Sequence, residues 1–185
     1  WGLTSFGSAG CEPPLLERYR GWAAEGRLNL RVFCITTPPG ARDLEQFLAQ
    51  IPKMTVFQGD SFVDTVAFGE NFGALGDPMF RHRPETRPQD VAEWGRIARE
   101  VARARLPLHV HTNFEETIDT YLEQIEAINR EFPVRTLRWV LPHFNQPTAA
   151  QLERMKRLGL YAAVHPWAVI NGGINLRQFG AAAYD

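Results

Sequence analysis

The sequence is poor in cysteine and has no long apolar run, and each shortage removes a class of protein. Two cysteines in 185 residues are too few for a disulfide framework, and the sequence does not show whether Cys11 and Cys34 could meet. No stretch of about 18 apolar residues occurs, which argues against a membrane span. Basic and acidic residues number 20 and 21, so no bulk charge attracts nucleic acid or an anionic membrane.

Motifs of several enzyme classes are also missing. The chain has no glycine-rich phosphate loop, no nucleophile elbow and no Cys-x-x-Cys pair. Its only lysines, Lys53 and Lys156, lie away from the predicted strand ends. The remaining composition, 44% hydrophobic and 22% charged, is that of an ordinary globular protein. The chain begins at Trp1 without a recognisable signal peptide, so we expect a soluble segment of a longer protein, with the cytoplasm favoured as its compartment.

Strand-like and helix-like segments alternate about six times along the chain. The strand-like segments are rich in branched and aromatic residues, and the helix-like segments carry apolar residues at helical spacing. The expected strands are 3–6, 28–36, 62–68, 108–111, 137–141 and 160–164, and the expected helices are 13–26, 41–51, 89–106, 115–132 and 148–159. This alternation predicts an α/β fold of parallel strands, arranged as an open doubly wound sheet or as a barrel.

The most distinctive motif is His109-Val110-His111, which ends a predicted strand. Alternation along a strand places both imidazoles on one face, where they could bind a divalent metal. They could equally be two core histidines that bond to neighbouring polar groups. In a barrel, His109 would lie one step deeper than the rim, where side chains are packed, so a core role is favoured for it.

Polar side chains lie at or just beyond the carboxyl ends of four predicted strands. They are Glu70, His111, His143 and His165. In (β/α) barrels this rim carries the active site. Because neighbouring strands lie about 4.8 Å apart, imidazoles from two strands can reach one ion at about 2.0–2.1 Å. We therefore predict that His111 and His143 bind a divalent metal, with Zn²⁺ favoured, and that Glu70, Asn113 and His165 line the substrate site.

Four segments together resemble the amidohydrolase superfamily, specifically the family-3 branch that includes N-substituted formamide deformylase. Gly-Leu-Thr-Ser at 2–5 is similar to that branch's Gly-Val-Thr strand. The segments 110–119 and 138–143 resemble its Val-His-Ala-x-Gly-Asp-x-Ala-Ile-Asp and Arg-x-x-x-Glu-His blocks. The segment 158–166 resembles its Leu-Gly-Val…Val-Gln-Pro block.

The resemblance implies a TIM-type (β/α)₈ barrel, of which this chain would supply strands two to seven. His111 and His143 would then be the metal ligands of the fifth and sixth strands, and the reaction would be hydrolysis of a non-peptide C–N bond in an amide, urea or cyclic imide. The family's first-strand His-x-His and eighth-strand aspartate, the general base, have no counterpart, and its fourth-strand lysine aligns with Val66 or a neighbouring residue. We expect residues 1–185 to form one incomplete barrel domain with negligible turnover alone.

Two other interpretations remain open. A different metal-dependent barrel enzyme, an isomerase or phosphoesterase, would need its own acid–base pair, and the predicted strand ends offer none. A non-catalytic barrel used for binding is favoured by Phe114, Pro142 and Val66, which replace polar residues of the family. The catalytic interpretations share a small-molecule substrate, which the sequence does not name.

Overall fold

The computed structural model describes residues 2–40, 42–73, 75, 86–144, 147–164, 172–174, 176–177 and 180–181. Six parallel strands form one sheet that curls into a half-barrel, with helices between the strands. The strands are β1 (Ser5–Ala9), β2 (Arg31–Thr36), β3 (Val63–Glu70), β4 (Leu108–Val110), β5 (Val140–His143) and β6 (Tyr161–Val164). The helices are α1 (Pro13–Ala24), α2 (Leu44–Gln50), α3 (Pro88–Arg103), α4 (Glu115–Asn129) and α5 (Ala149–Leu158), and a 3₁₀ turn (Ile51–Lys53) follows α2.

The order of the strands decides between the two predicted arrangements. They lie side by side in chain order, from β1 to β6, and every neighbouring pair is parallel. A doubly wound sheet reverses its strand order at a switch point, and the described strands contain no such reversal. The α/β prediction is confirmed, and the sheet has the strand order of a barrel.

Several predicted boundaries were wrong by a few residues. The first strand is Ser5–Ala9 instead of 3–6, and the second begins at Arg31 instead of at residue 28. The third strand continues to Glu70, two residues past the predicted end at Phe68. Pairing explains the extension, because Glu70 lies in register with a residue of β4, and a single-sequence pattern cannot show that partner.

The apolar core lies between the sheet and the later helices. Helical spacing places Trp94 and Val101 of α3 on one face, and Ile118 and Ile125 of α4 on another, and all four side chains are buried. Leu108 of β4 joins the same cluster, so the outer face of the sheet carries the helices. Within the described part of the chain, none of the helices has the length and apolar character needed to cross a membrane.

Helix α5 begins and ends as its sequence predicts. Thr148 and Gln151 form a capping box, in which each side chain bonds to the other residue's backbone N–H. Gly159 ends α5 with φ +72°, a left-handed conformation in which glycine avoids the usual steric cost. These signals depend on local chemistry alone, which explains why they could be read from the sequence.

Cys11 and Cys34 form a disulfide, a pairing that the sequence left open. Cys11 follows β1 and Cys34 lies within β2, and the parallel pairing of these strands brings their Cα atoms to 5.3 Å. Both side chains are fully buried beside Val32. Because α1 contributes no buried residue, this bond and its small apolar cluster are important for holding the first β-α-β unit together.

Gly69 occupies the closest approach between β3 and β4. It has φ +137°, and a Cβ atom added there would overlap the backbone carbonyl of His109. We expect Gly69→Ala to lower the free energy of unfolding by roughly 3 kcal/mol or more, measured by urea denaturation followed by circular dichroism. Gly21→Ala is the matched control, because its added Cβ meets nothing within 4 Å on α1. It should be neutral or stabilise by up to about 1 kcal/mol. Equal stability of the two variants would contradict the close approach.

Candidate metal site

Three neighbouring strands bring one carboxylate and two imidazoles to the same rim. Glu70 ends β3, His111 follows β4, and His143 ends β5. Pairing continues past the strand ends, since the His111 N–H donates to the Glu70 carbonyl at 3.3 Å and Thr112 forms a bridge with His143. The strand-end positions predicted for these polar residues therefore converge, because parallel strands share their carboxyl edge.

The three side chains meet at one oxygen atom. Glu70 Oε1 lies 2.9 Å from Nδ1 of His111 and 2.8 Å from Nε2 of His143. The imidazole ring centroids are 4.4 Å apart, with the planes inclined by 62°. Side-chain exposure is 9% for Glu70, 11% for His111 and 21% for His143. The cluster is therefore mostly shielded from solvent, with His143 the most accessible member.

Electrostatics keep the Glu70 carboxyl ionised. Burial alone would raise the pKa of this group, but the hydrogen bonds that His111 and His143 donate and their electrostatic attraction to the carboxylate outweigh it. The net effect is that the pKa of Glu70 lies well below its ordinary value. Because a carboxylate only accepts hydrogen bonds, each facing imidazole nitrogen carries a hydrogen and donates it to Oε1.

Asn113 contacts the opposite nitrogen of His111. Its Nδ2 lies 2.9 Å from His111 Nε2, and the asparagine is only 2% exposed. With the Nδ1 hydrogen donated to Glu70, Nε2 of the neutral imidazole accepts from the asparagine amide. Asn113 was predicted to line the substrate site, and the structure places it where it orients His111.

His109 lies on the same sheet face as the cluster but outside it. Its strand neighbours Leu108 and Val110 point into the apolar core, so His109 points to the opposite face. Its Nδ1 is buried, and among the described residues it has no hydrogen-bond partner. Burial lowers its pKa, partly opposed by the negative charge of Glu70. The predicted separation of His109 from His111 is supported, although the apolar core cluster does not include His109.

The donor set is chemically suited to a divalent metal. One carboxylate oxygen and two imidazole nitrogens lie within 4.8 Å of one another, and this combination is common at zinc sites. Tetrahedral bonds of about 2.1 Å would separate ligand atoms by about 3.4 Å, compared with the 2.8 and 2.9 Å distances to Glu70 Oε1. The side chains would need to separate by about half an ångström, and both N–H hydrogens would have to leave.

Glu70, and not Val66, reaches the rim at the end of β3. Val66 lies at a register shift between β2 and β3, because Thr65 pairs with Cys34 while Ala67 pairs with Ile35. It is therefore well below the rim, whereas Glu70 is the last residue of the strand. Its place beside a predicted strand end put Glu70 at the site, but the sequence did not show that it bonds directly to both histidines.

Two cavities lie along this rim. The smaller one, of about 90 Å³, is lined in part by Glu70, His111 and Tyr121 and has room for a few water molecules. The larger one borders the same Asn71–Gly73 segment. His165 lies outside the described residues, so its predicted role at the substrate site stays a prediction.

Nitrogen NMR tests the arrangement of hydrogens in this cluster. In the neutral form of each imidazole, we expect His111 to carry its hydrogen on Nδ1 with a bare Nε2, and His143 to carry its hydrogen on Nε2. Long-range ¹H–¹⁵N correlation spectra distinguish these tautomers. Asn113→Leu should shift the His111 Nε2 resonance, because the asparagine amide contacts that nitrogen directly. A His111 protonated on Nε2 in the metal-free protein would contradict the arrangement.

Comparison with known proteins gives structural neighbours only, since no protein-family model and no curated protein matches the chain. An uncharacterized metal-dependent hydrolase from Pyrococcus horikoshii OT3 superposes with a TM-score of 0.67 and 24% identity, over 97% of this chain and 36% of that one. An uncharacterized metal-dependent hydrolase from Pyrococcus furiosus superposes with a TM-score of 0.63 and 17% identity, over 96% and 37%. The chain therefore has the fold of a little over a third of either neighbour.

Proposed function

We propose that this chain is the central part of a metal-dependent hydrolase in which Glu70, His111 and His143 bind a divalent metal, with Zn²⁺ favoured. The observation that carries the proposal is the convergence of one carboxylate and two imidazoles at the carboxyl rim of a parallel half-barrel. The two structural neighbours, both described as metal-dependent hydrolases, support it.

The half-barrel is proposed to be part of a TIM-type (β/α)₈ barrel, with β1 to β6 as barrel strands two to seven. Residues 1–185 would then form one incomplete barrel domain. The length of the neighbours supports this, because this chain spans 36% and 37% of them. The activity, substrate and partners of a complete protein are part of the same proposal.

Each cluster residue has a distinct role in the proposed site. Glu70 supplies the negative charge, and its low pKa keeps it ready to bind a cation at neutral pH. With a metal on Nδ1, His111 would carry its hydrogen on Nε2 and donate it to Asn113 if the amide turned its oxygen toward the ring, while the partly exposed His143 faces the accessible side. A divalent ion bound here would supply Lewis-acid activation of water and of a carbonyl group.

The proposed reaction is hydrolysis of a non-peptide C–N bond in a small amide, urea or cyclic imide. The resemblance of segments 110–119 and 138–143 to the amidohydrolase family favours this class over other hydrolyses. The described cluster contains a single carboxylate, which the metal would occupy, so this chain is assigned no general base. We therefore expect negligible turnover from the 185-residue chain alone.

A non-catalytic barrel is the second candidate, and one observation favours it. The cluster is internally satisfied, because Glu70 accepts a hydrogen bond from each imidazole without any ion. Such a network could simply stabilise the rim of a binding protein. Metal affinity separates the two candidates, because only the first requires these hydrogen bonds to give way to an ion.

Zinc titration by calorimetry, with metal content measured after dialysis, tests the ligand assignment. We expect the wild-type chain to bind one Zn²⁺, and His143→Ala and Glu70→Gln to weaken binding by about 100-fold or more, because each removes a ligand atom. His109→Gln is the matched control, a histidine on the same sheet face that does not belong to the cluster. It should stay within a few-fold of wild type. Unchanged stoichiometry and affinity in His143→Ala would reject the assignment.

A further inference from the structure

A second, larger cavity opens at the same rim as the candidate metal site. It has a volume of about 430 Å³ and lies between the ends of β2 and β3 and the helices α2 and α3. Thr37, which borders it, directly follows β2, and the Asn71–Gly73 segment directly follows β3. Its size falls within the range of about 300–1,000 Å³ that is typical of small-molecule sites.

The larger cavity shares part of its lining with the smaller cavity beside the candidate metal site. Asn71, Phe72 and Gly73 line both this cavity and the smaller one that touches Glu70 and His111. A substrate whose reacting group lies at the cluster could therefore extend a substituent into the cavity.

Part of the cavity wall is apolar. It is lined by Leu44 and Phe47 of α2, by Ile97 of α3 and by Phe72, which lies just beyond β3. The fully buried Phe68 packs edge-to-face behind two of them, with ring centroids 6.0 Å from Phe47 and 4.9 Å from Phe72. Aromatic side chains held in this way offer a preformed surface for an apolar or aromatic group.

The charged residues around the cavity disfavour an anionic ligand. Among the described residues that line it, Arg42 is the one cation, whereas Asp43 and Glu93 are both acidic. Asp43 accepts a hydrogen bond from the Gln46 backbone N–H at the start of α2, so it is fixed beside the cavity. The lining therefore provides no net positive field, and a neutral group suits it better than a carboxylate.

We propose that this cavity binds the neutral apolar or aromatic substituent of the substrate, and that it favours amides with such a group over small unsubstituted amides. The identity of the ligand as a substrate depends on the proposed hydrolase function. Binding in the cavity does not, since none of the cluster atoms is needed to hold an apolar group.

Acetanilide is a suitable probe, because it joins a phenyl ring to a neutral amide. It is titrated into the ¹⁵N-labelled chain, and the perturbed amides are mapped. We expect shifts concentrated at Thr37, Phe47 and Phe72, none from acetamide at the same concentration, and several-fold weaker binding of 4-acetamidobenzoate. Leu44→Trp, which fills the cavity, should weaken acetanilide binding at least tenfold. Leu152→Trp, at an exposed leucine of α5, should leave it unchanged.

Shifts that map elsewhere, or equal affinity in Leu44→Trp and wild type, would overturn the proposal. The mapping uses the wild-type chain, so it decides the question even if the tryptophan variant does not fold. Titrations with and without Zn²⁺ separate this proposal from the hydrolase function. Acetanilide binding at the cavity in a chain that binds no zinc supports the cavity while rejecting the metal site. Zinc binding without acetanilide binding rejects the cavity alone.

Discussion

The hydrogen bonds from His111 and His143 to one oxygen of Glu70 are the interaction on which the functional rim depends. A carboxylate that is only 9% exposed is costly to bury unless its charge is compensated, and two imidazole N–H groups compensate it here. These hydrogen bonds require β3, β4 and β5 to be neighbouring strands whose carboxyl ends lie at the same height in the sheet. The parallel order of the strands provides the adjacency, and the close approach at Gly69 sets the distance between β3 and β4.

In the proposed metal site, the same three side chains would have two alternative states. Without an ion they satisfy one another, and with an ion the two N–H hydrogens must leave so that the nitrogens can bind it. Metal binding therefore competes with an existing network, and its strength depends on how readily these hydrogen bonds are exchanged. The hydrogen bond from Asn113 to Nε2 of His111 opposes that exchange, because it favours the tautomer that carries its hydrogen on Nδ1. The two cavities near the cluster are large enough for small molecules.

Sequence patterns predicted the parts of this arrangement that depend on local chemistry. The β/α alternation, the α5 capping box and the strand-end positions of His111 and His143 could all be read from single segments. The direct contacts of Glu70 with both histidines could not, because Gly69 suggested that the strand ends earlier and only the pairing with β4 extends β3 to Glu70. The spacing of His109 and His111 suggested that these two imidazoles act together. The imidazole that lies beside His111 is instead that of His143, from the next strand.

Anomalous diffraction at the zinc absorption edge, from crystals of this chain grown with Zn²⁺, tests the central claim most directly. We expect one strong peak bounded by Glu70 Oε1, His111 Nδ1 and His143 Nε2, with both imidazoles separated from the carboxylate relative to their hydrogen-bonded positions. The same three side chains still hydrogen-bonded to one another, with zinc absent from the rim or bound elsewhere, would contradict the claim and favour a barrel in which this cluster is structural.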